Sequence, residues 1–156
     1  MVTLKEVRPE DRELLYNINQ KYLYEMTNFY DDPMDEAGNY HYGYFEEYFT
    51  DPKRKAFFIL SDERLAGFAM VNPYSFTGRK TDHVMAEFTV FPVFRRKGVA
   101  SKAAGLIFSS FPGRWEIKYN TKNTPAGALW TGLTAKYSPN TVVFSEFERV
   151  LVFTVK

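Results

Sequence analysis

The chain has 156 residues, 45% hydrophobic, 18% aromatic and 25% charged, with a formal net charge of +1. That length suits a single domain spanning residues 1–156, and the near-zero net charge argues against a nucleic-acid partner. The absence of cysteine removes disulfides, a thiolate nucleophile and a Cys-type zinc site, and two distant histidines, His41 and His83, give no reason to expect a metal centre.

Taken in order, residues 3–7 read as a short strand. Pro9 suits the first turn of a helix. Leu14, Leu15, Ile18, Tyr22 and Met26 then recur at helical spacing, which gives that helix one core face. Residues 30–39 contain Asp31, Asp32, Pro33, Asp35 and Gly38, the chemistry of a loop. A second helix is expected over 42–49, ended by Asp51-Pro52. Residues 55–60 and 65–72 read as a hairpin around Ser61-Asp62-Glu63, and 73–81 is turn-rich.

Residues 82–91 alternate, with Val84, Ala86, Phe88 and Val90 on one face and Met85, Glu87, Thr89 and Phe91 on the other. Both faces are largely apolar, as in a central strand. Pro92 cannot donate to a ladder, so the strand leaves the sheet near it. A helix over 97–110 turns Val99, Ala103, Leu106 and Ile107 inward, and Pro112-Gly113 breaks it. Residues 115–120 are a strand with Trp115, Ile117 and Tyr119 on one face. A β–α–β unit of this length implies a parallel pair with a right-handed crossover. Thr124 caps a last helix with Pro125 at its first position, and Ser138-Pro139-Asn140 stops it. Strands over 142–147 and 150–155 close the chain. No apolar run approaches the ~20 residues of a membrane span, and Lys5 and Glu6 bring charge too early for a signal peptide. A soluble, cytoplasmic protein with no membrane partner is therefore expected.

The most specific chemistry lies between Phe88 and Ala100, where an apolar strand runs through Pro92 into Arg95-Arg96-Lys97-Gly98-Val99-Ala100 and then into a helix. The first turn of a helix carries free N–H groups and partial positive charge. Gly98 lets an anion approach the backbone closely, and Arg95, Arg96 and Lys97 add formal charge. Composition alone leaves two readings open: a cradle for a pyrophosphate, or a solvated basic turn with a packing glycine.

Arg95-x-x-Gly98-x-Ala100 resembles the Gln/Arg-x-x-Gly-x-Gly/Ala signature of the GNAT superfamily of N-acetyltransferases. Phe88-x-Val90-x-Pro92 looks like the strand that precedes this signature, and Asn123-x-x-Ala126-x-x-Leu129-Trp130 resembles the family's second block. The resemblance implies an α/β (α+β) fold: a mixed, mostly antiparallel sheet of six or seven strands with about four helices around a central parallel β–α–β unit. It implies acetyl-CoA as cosubstrate, no metal, and an amine as acceptor. The pyrophosphate would rest on the amides of Arg96, Lys97, Gly98, Val99 and Ala100, with Arg95 supporting the loop. The pantetheine arm would run between strands 82–90 and 115–120, which splay apart in this family, and bond to strand backbone near Phe88 and Val90. Asn123 would bind the arm or the loop, and Trp130 would be a wall of the donor channel or plain core. The family often dimerises, so a homodimer is a further expectation.

Transfer to an amine needs a base for the amine proton, an N–H donor for the tetrahedral oxyanion and a route for the leaving thiolate. Glu87 is the one carboxylate in the interior of the central strand, three residues before Val90, whose N–H is the expected oxyanion donor. Flanked by Met85 and Phe91, it would hold its proton more tightly than usual. The other reading is a strand glutamate that pairs with a basic side chain or anchors the acceptor. The family often has Tyr where this chain has Trp130, so the acid is sought in Tyr137, two helical turns on, or in Tyr119. Core packing of either tyrosine, with a thiolate that leaves unprotonated, is the alternative. Without cysteine an acetyl-cysteine intermediate is excluded, which leaves direct attack in a ternary complex.

Residues 22–49 interleave aromatics (Tyr24, Phe29, Tyr30, Tyr40, Tyr42, Tyr44, Phe45 and Tyr48) with acids. This suits a pocket for a cationic amine, or else solvated acids over core aromatics. The runner-up function is an acyl-CoA-binding sensor or regulatory module without turnover.

Overall fold

In the computed structural model, which describes residues 1–156, seven strands pair into one sheet. They are β1 (Val2–Glu6), β2 (Lys55–Ser61), β3 (Arg64–Asn72), β4 (His83–Val90), β5 (Gly113–Asn120), β6 (Asn140–Ser145) and β7 (Glu148–Val155). The helices are α1 (Arg12–Met26), α2 (Glu47–Thr50), α3 (Val99–Ser110) and α4 (Thr124–Thr134). The sheet order is β1-β2-β3-β4-β5-β7-β6. Every pairing is antiparallel except β4 with β5, which α3 joins as a β–α–β crossover. The expected α/β architecture is therefore the one observed.

Both faces of the sheet are covered, which is why its central strands are apolar on both sides. On one face Ala104, Ile107 and Phe108 of α3 and Trp130 of α4 pack over Met85, Trp115, Ile117 and Leu151. On the other, Leu15 and Ile18 of α1, with Phe45 and Tyr48, cover Ala56, Phe58, Phe68 and Met70. Side chains such as Phe58 and Phe68 are completely enclosed, each stabilising the fold by ~1.5–3 kcal/mol. Trp115 is enclosed too, and its indole N–H donates to the carbonyl of Phe111 at 2.8 Å, so no polar atom is stranded with it.

Several sequence expectations shift. Leu14 and Leu106 point out, 43% and 40% exposed. In each case a neighbouring position, about 100° round the helix, takes the inward place: Leu15, Ile18 and Asn19 on α1, and Ala103, Ala104 and Ile107 on α3. The second helix shrinks to the single turn of α2: before it the chain closes i→i+3 turns, the amide of Phe45 donating to the carbonyl of Tyr42 and that of Tyr48 to the carbonyl of Phe45, while the three rings join one core cluster. Asn123, not Thr124, caps α4: its Oδ1 accepts from the amide of Ala126 at 3.3 Å. The last hairpin turns at Glu146-Phe147, so β6 starts and ends earlier than expected and β7 starts earlier.

The largest change is in β4. Met70 pairs with Glu87 and Val71 with Met85, so Ala86 is one residue too many and bulges. The bulge resets the alternation. Met85 joins the α3 face with Phe88, while Ala86 and Phe91 pack on the α1 face. Glu87 lies on the α1 face as well, and the expected flank of Met85 is lost.

Candidate active site

β4 and β5 are hydrogen-bonded only from His83, Val84 and Met85 to Trp115, Glu116 and Ile117. Beyond that point β4 stays with β3 as far as Val90, and β5 stays with β7 as far as Asn120. The two strands therefore part company, leaving facing backbone groups without a ladder partner. The amide of Phe91 donates to the carbonyl of Ala66 at 2.7 Å. Backbone groups alternate sides along a strand, so the N–H and C=O of Val90, and of Phe88 before it, face the gap. A cavity of about 930 Å³ occupies that gap. Its walls are β4, β5, the C-terminal end of α1 and the first turns of α4, with Arg95, Arg96 and Ala100 at one end.

That end is built from backbone. Arg96 has φ +61° and Gly98 φ +78°, the left-handed values that turn successive amides towards one point. The amides of Arg96, Lys97, Gly98, Val99 and Ala100 donate to no other group of the protein. A side-chain carbon at Gly98 would meet nothing within 4 Å, so the approach is open. The Val99 side chain turns into the core beside Ile59 and Val90, and Lys97 points to solvent, so both contribute main chain rather than wall. Arg95 is fully committed: Nε donates to the carbonyl of Val90 at 2.6 Å, and Nη1 and Nη2 grip the carboxylate of Glu25 at 2.9 and 2.7 Å. It ties the loop to β4 and to the end of α1.

Of the other expected cofactor residues, Phe88, Val90, Asn123 and Trp130 line the cavity. Trp130 is both wall and core: it is buried, and its ring meets that of Phe88 edge to face at 5.0 Å. Tyr137 is not brought to the cavity. Its ring stacks on Phe153 and meets Phe108 edge on. The α-helix ends at Thr134 and a tighter turn carries Tyr137 round into the core, so the i+7 relation to Trp130 fails. Tyr119 does line the cavity, from β5.

Glu87 projects into the cavity on the α1 face, where Tyr22 and Lys118 also reach the wall. Its Oε2 is buried without a hydrogen-bond partner. Burial pushes its carboxyl up to about 8, against the opposing pull of the Lys118 ammonium and the neighbouring Tyr22 hydroxyl. Tyr22 and Tyr42, both partly buried and near this carboxyl, are raised well above the usual phenol value, by desolvation first and the Glu87 charge second. Burial and the Glu148 carboxylate raise Tyr30 to about 12; its hydroxyl donates to Glu148 Oε2 at 3.1 Å. Lys118 pairs with the same carboxylate at 3.2 Å.

Sequence reasoning missed Lys118, Tyr22 and the pair Glu25–Arg95. Lys118 was recoverable, since alternation along 115–120 puts it opposite Trp115 and Ile117, on the face of Glu87. Nothing local announces the Glu25–Arg95 pair, which spans 70 positions. Of the acids in residues 22–49, only Glu25 and Asp32 reach the large cavity.

Residues 14–131 match the acetyltransferase (GNAT) family. Comparison with curated proteins by sequence gave no match. Among solved structures, the chain is similar to an acetyltransferase from Thermus thermophilus, with 14% identity and a TM-score of 0.72 over 99% of this chain and 97% of that one. It is also similar to the ribosomal-protein-S18-alanine N-acetyltransferase from Escherichia coli, with 13% identity and a TM-score of 0.68 over 100% and 95%. A third is the diaminobutyrate acetyltransferase EctA from Paenibacillus lautus, solved with L-2,4-diaminobutyric acid and coenzyme A, with 13% identity and a TM-score of 0.66 over 99% and 95%. At these identities the likeness is one of fold. No helix is long and apolar enough to cross a membrane.

Proposed function

The chain belongs to the acetyltransferase (GNAT) family, and from that premise we propose that residues 1–156 act as one domain moving an acetyl group from acetyl-CoA to a primary amine of a small molecule or peptide. The observation that carries this reading is the gap between β4 and β5 with five free amides at its mouth. A diphosphate suits those amides, and an extended amide-containing arm suits the free backbone of Phe88 and the free N–H of Val90, whose carbonyl is taken by Arg95. The cavity volume of about 930 Å³ lies in the upper range for ligand sites.

The amine nitrogen attacks the thioester carbonyl carbon, a C–N bond forms and the C–S bond breaks. Glu87, as carboxylate, takes the proton the amine must lose. Its elevated value, about 8, makes it a stronger base than an ordinary carboxylate at the cost of being largely protonated at pH 7. The Val90 N–H, facing the gap, is the donor for the oxyanion. Tyr119 takes the acid role first sought in Tyr137. A thiolate is also stable enough to leave on its own, since a thiol has a pKa of only about 8.5. Holding both reactants in line can supply ~7–11 kcal/mol of the barrier reduction.

The test is coenzyme A release, followed with a thiol reagent, from purified protein, acetyl-CoA and a panel of primary amines. Amine-dependent release is expected. Gly98→Glu, which sets a carboxylate against the free amides, should raise KM for acetyl-CoA by about 10-fold or more, the scale of losing a charge-assisted contact. Tight acetyl-CoA binding with no release under any amine supports the non-enzymatic acyl-CoA module instead. Acetyl-CoA binding that ignores Gly98→Glu removes the cradle.

A further inference from the structure

A second cavity, of about 390 Å³, lies beside the first and shares Phe76, Ala86, Glu87 and Lys118 with it as a common wall. At its other end stands Arg54, whose side chain is nine-tenths buried. Three rings enclose the guanidinium: Tyr74 with its centroid 4.4 Å away, Tyr44 at 4.6 Å and Tyr48 at 5.6 Å. Two of the rings that the sequence offered to a cationic acceptor, Tyr44 and Tyr48, are thus taken up by the chain's own cation.

Arg54 is well held but poorly satisfied. Its Nε is buried without a hydrogen-bond partner. The nearest acid is Asp51, with Oδ2 at 3.3 Å from Nε. That carboxylate already accepts from the Tyr74 hydroxyl at 2.6 Å and the Lys53 amide at 2.9 Å, and it does not line the cavity. With Nε turned towards Asp51, the two Nη groups are the donors left for the cavity. A guanidinium presents its donors as a flat fork that matches a carboxylate, and neither Nη is spent on another group of the protein. The ionisable side chains lining this cavity are Arg54, Lys118, Glu87 and two tyrosines, Tyr42 and Tyr44, plus Tyr74. Glu87 is the only acid among them.

We propose that the acceptor is an amine that also carries a carboxylate, in the class of free amino acids, with its amine at Glu87 and its carboxylate on the fork of Arg54. The volume of about 390 Å³ suits a molecule of that size, and the rings of Tyr42, Tyr74 and Phe76 supply apolar wall for its stem. Arg54 acts here as a substrate-binding residue, one that separates amino acids from amines with no anion. The inference rests on the acetyl-transfer reading, which supplies the reacting end.

The experiment uses the full chain with a matched panel: lysine against cadaverine, 2,4-diaminobutyrate against 1,3-diaminopropane, and methionine against methioninamide. Turnover is followed with acetyl-CoA, and binding of each probe is followed separately by calorimetry in the presence of coenzyme A. The carboxylate member of at least one pair should be preferred by roughly 10- to 100-fold in kcat/KM, the scale of one charged hydrogen-bonded contact. Arg54→Gln should erase that preference through KM, with kcat little changed. Arg54→Lys, which keeps the charge and the stem but not the fork, should recover part of it and serves as the carrier of the test if Arg54→Gln unfolds. Arg54-dependent carboxylate binding without turnover upholds the carboxylate site on Arg54 but removes the reaction, and the acceptor role with it. Turnover indifferent to the carboxylate and to Arg54 upholds the reaction and overturns the inference. Neither binding nor turnover overturns both.

Discussion

Glu87 and Glu116 sit on neighbouring strands, both inside the sheet, and they are treated in opposite ways. Glu116 has no exposed surface, yet its lone pairs are filled. Oε1 accepts from the amides of Phe76 at 2.7 Å and Thr77 at 3.3 Å, and Oε2 from the hydroxyls of Ser75 at 2.6 Å, Thr77 at 2.7 Å and Thr81 at 2.8 Å. Burial pushes its carboxyl up, but these donors outweigh that and hold it below the ordinary value. Glu87 is partly buried as a residue, but its Oε2 is enclosed with no donor to it, and its carboxyl rises. An interior carboxylate whose lone pairs are met is an anion fixed in place, able to order a loop. One left unmet is a group whose proton can move. The first also serves the second: the loop Glu116 gathers presents Phe76 to both cavities.

The bluntest way to break this comparison is Glu116→Ala. Three hydroxyls and two amides lose their acceptor together. The expected loss is about 3–5 kcal/mol of folding stability at pH 7, read from urea unfolding. The pH dependence has a definite sign. A depressed carboxyl stabilises the fold above its unfolded value of 4.5 and loses that contribution as pH falls through the folded value. The wild type should therefore weaken in acid more steeply than the variant. An unchanged unfolding midpoint would mean the loop is held by something other than Glu116.

This contrast also marks the limit of what can be read from the chain. The order of strands and helices was legible because each segment carries its own period and its own breaker, as at Pro92 and Pro112-Gly113. The corner of free amides was legible because it is built of backbone and Gly98, both local. The state of Glu87 was only half legible. The residue stood out as an interior carboxylate, but the bulge at Ala86 arises from pairing with β3 and moves it to the other environment. Glu116 was passed over, although Ser75, Thr77 and Thr81 form a hydroxyl-rich turn, because their meeting spans 35 to 41 positions. Tyr137 was misread because a helix period was carried past the true helix end, and Arg54 went unread because nothing beside it in sequence hints at three converging rings.

Glu87→Gln tests the other half of the comparison, with a smaller effect on the fold and of opposite sign. Between 4.5, the ordinary value, and about 8, the folded chain holds a proton that the unfolded chain has released. Wild-type stability should accordingly fall as pH rises through that window and level off above it. The variant has no such penalty and should be more stable at pH 8–9 by a few kcal/mol at most, from ~1.4 kcal/mol per pKa unit. Its kcat should drop by about 100-fold at pH 8, the lower range for loss of a general base. The rising limb near pH 8 in the wild-type kcat/KM profile should vanish. Stability that is parallel in the two proteins from pH 5 to 9 would remove the unusual carboxyl, whatever the rate does.

The finest adjustment is to change what surrounds Glu87 and leave the carboxyl itself. Two groups pull it back from the full cost of burial: the Lys118 charge first, and the Tyr22 hydroxyl second. Lys118→Met and Tyr22→Phe should each move the rising limb to higher pH, Lys118→Met further. Lys118 also pairs with Glu148 and borders both cavities, so its variant is expected to alter KM as well. Tyr22→Phe removes one oxygen from an edge-to-face contact with Phe68 and should leave stability within ~1 kcal/mol. A carboxyl-carbon NMR titration of Glu87 reads the same displacement without turnover. No shift in either variant would mean that burial alone sets this carboxyl, and a shift towards acid would mean that the removed group raises it. The direction matters because it orders the two glutamates on one scale: every donor withdrawn from Glu87 carries it further from the state of Glu116.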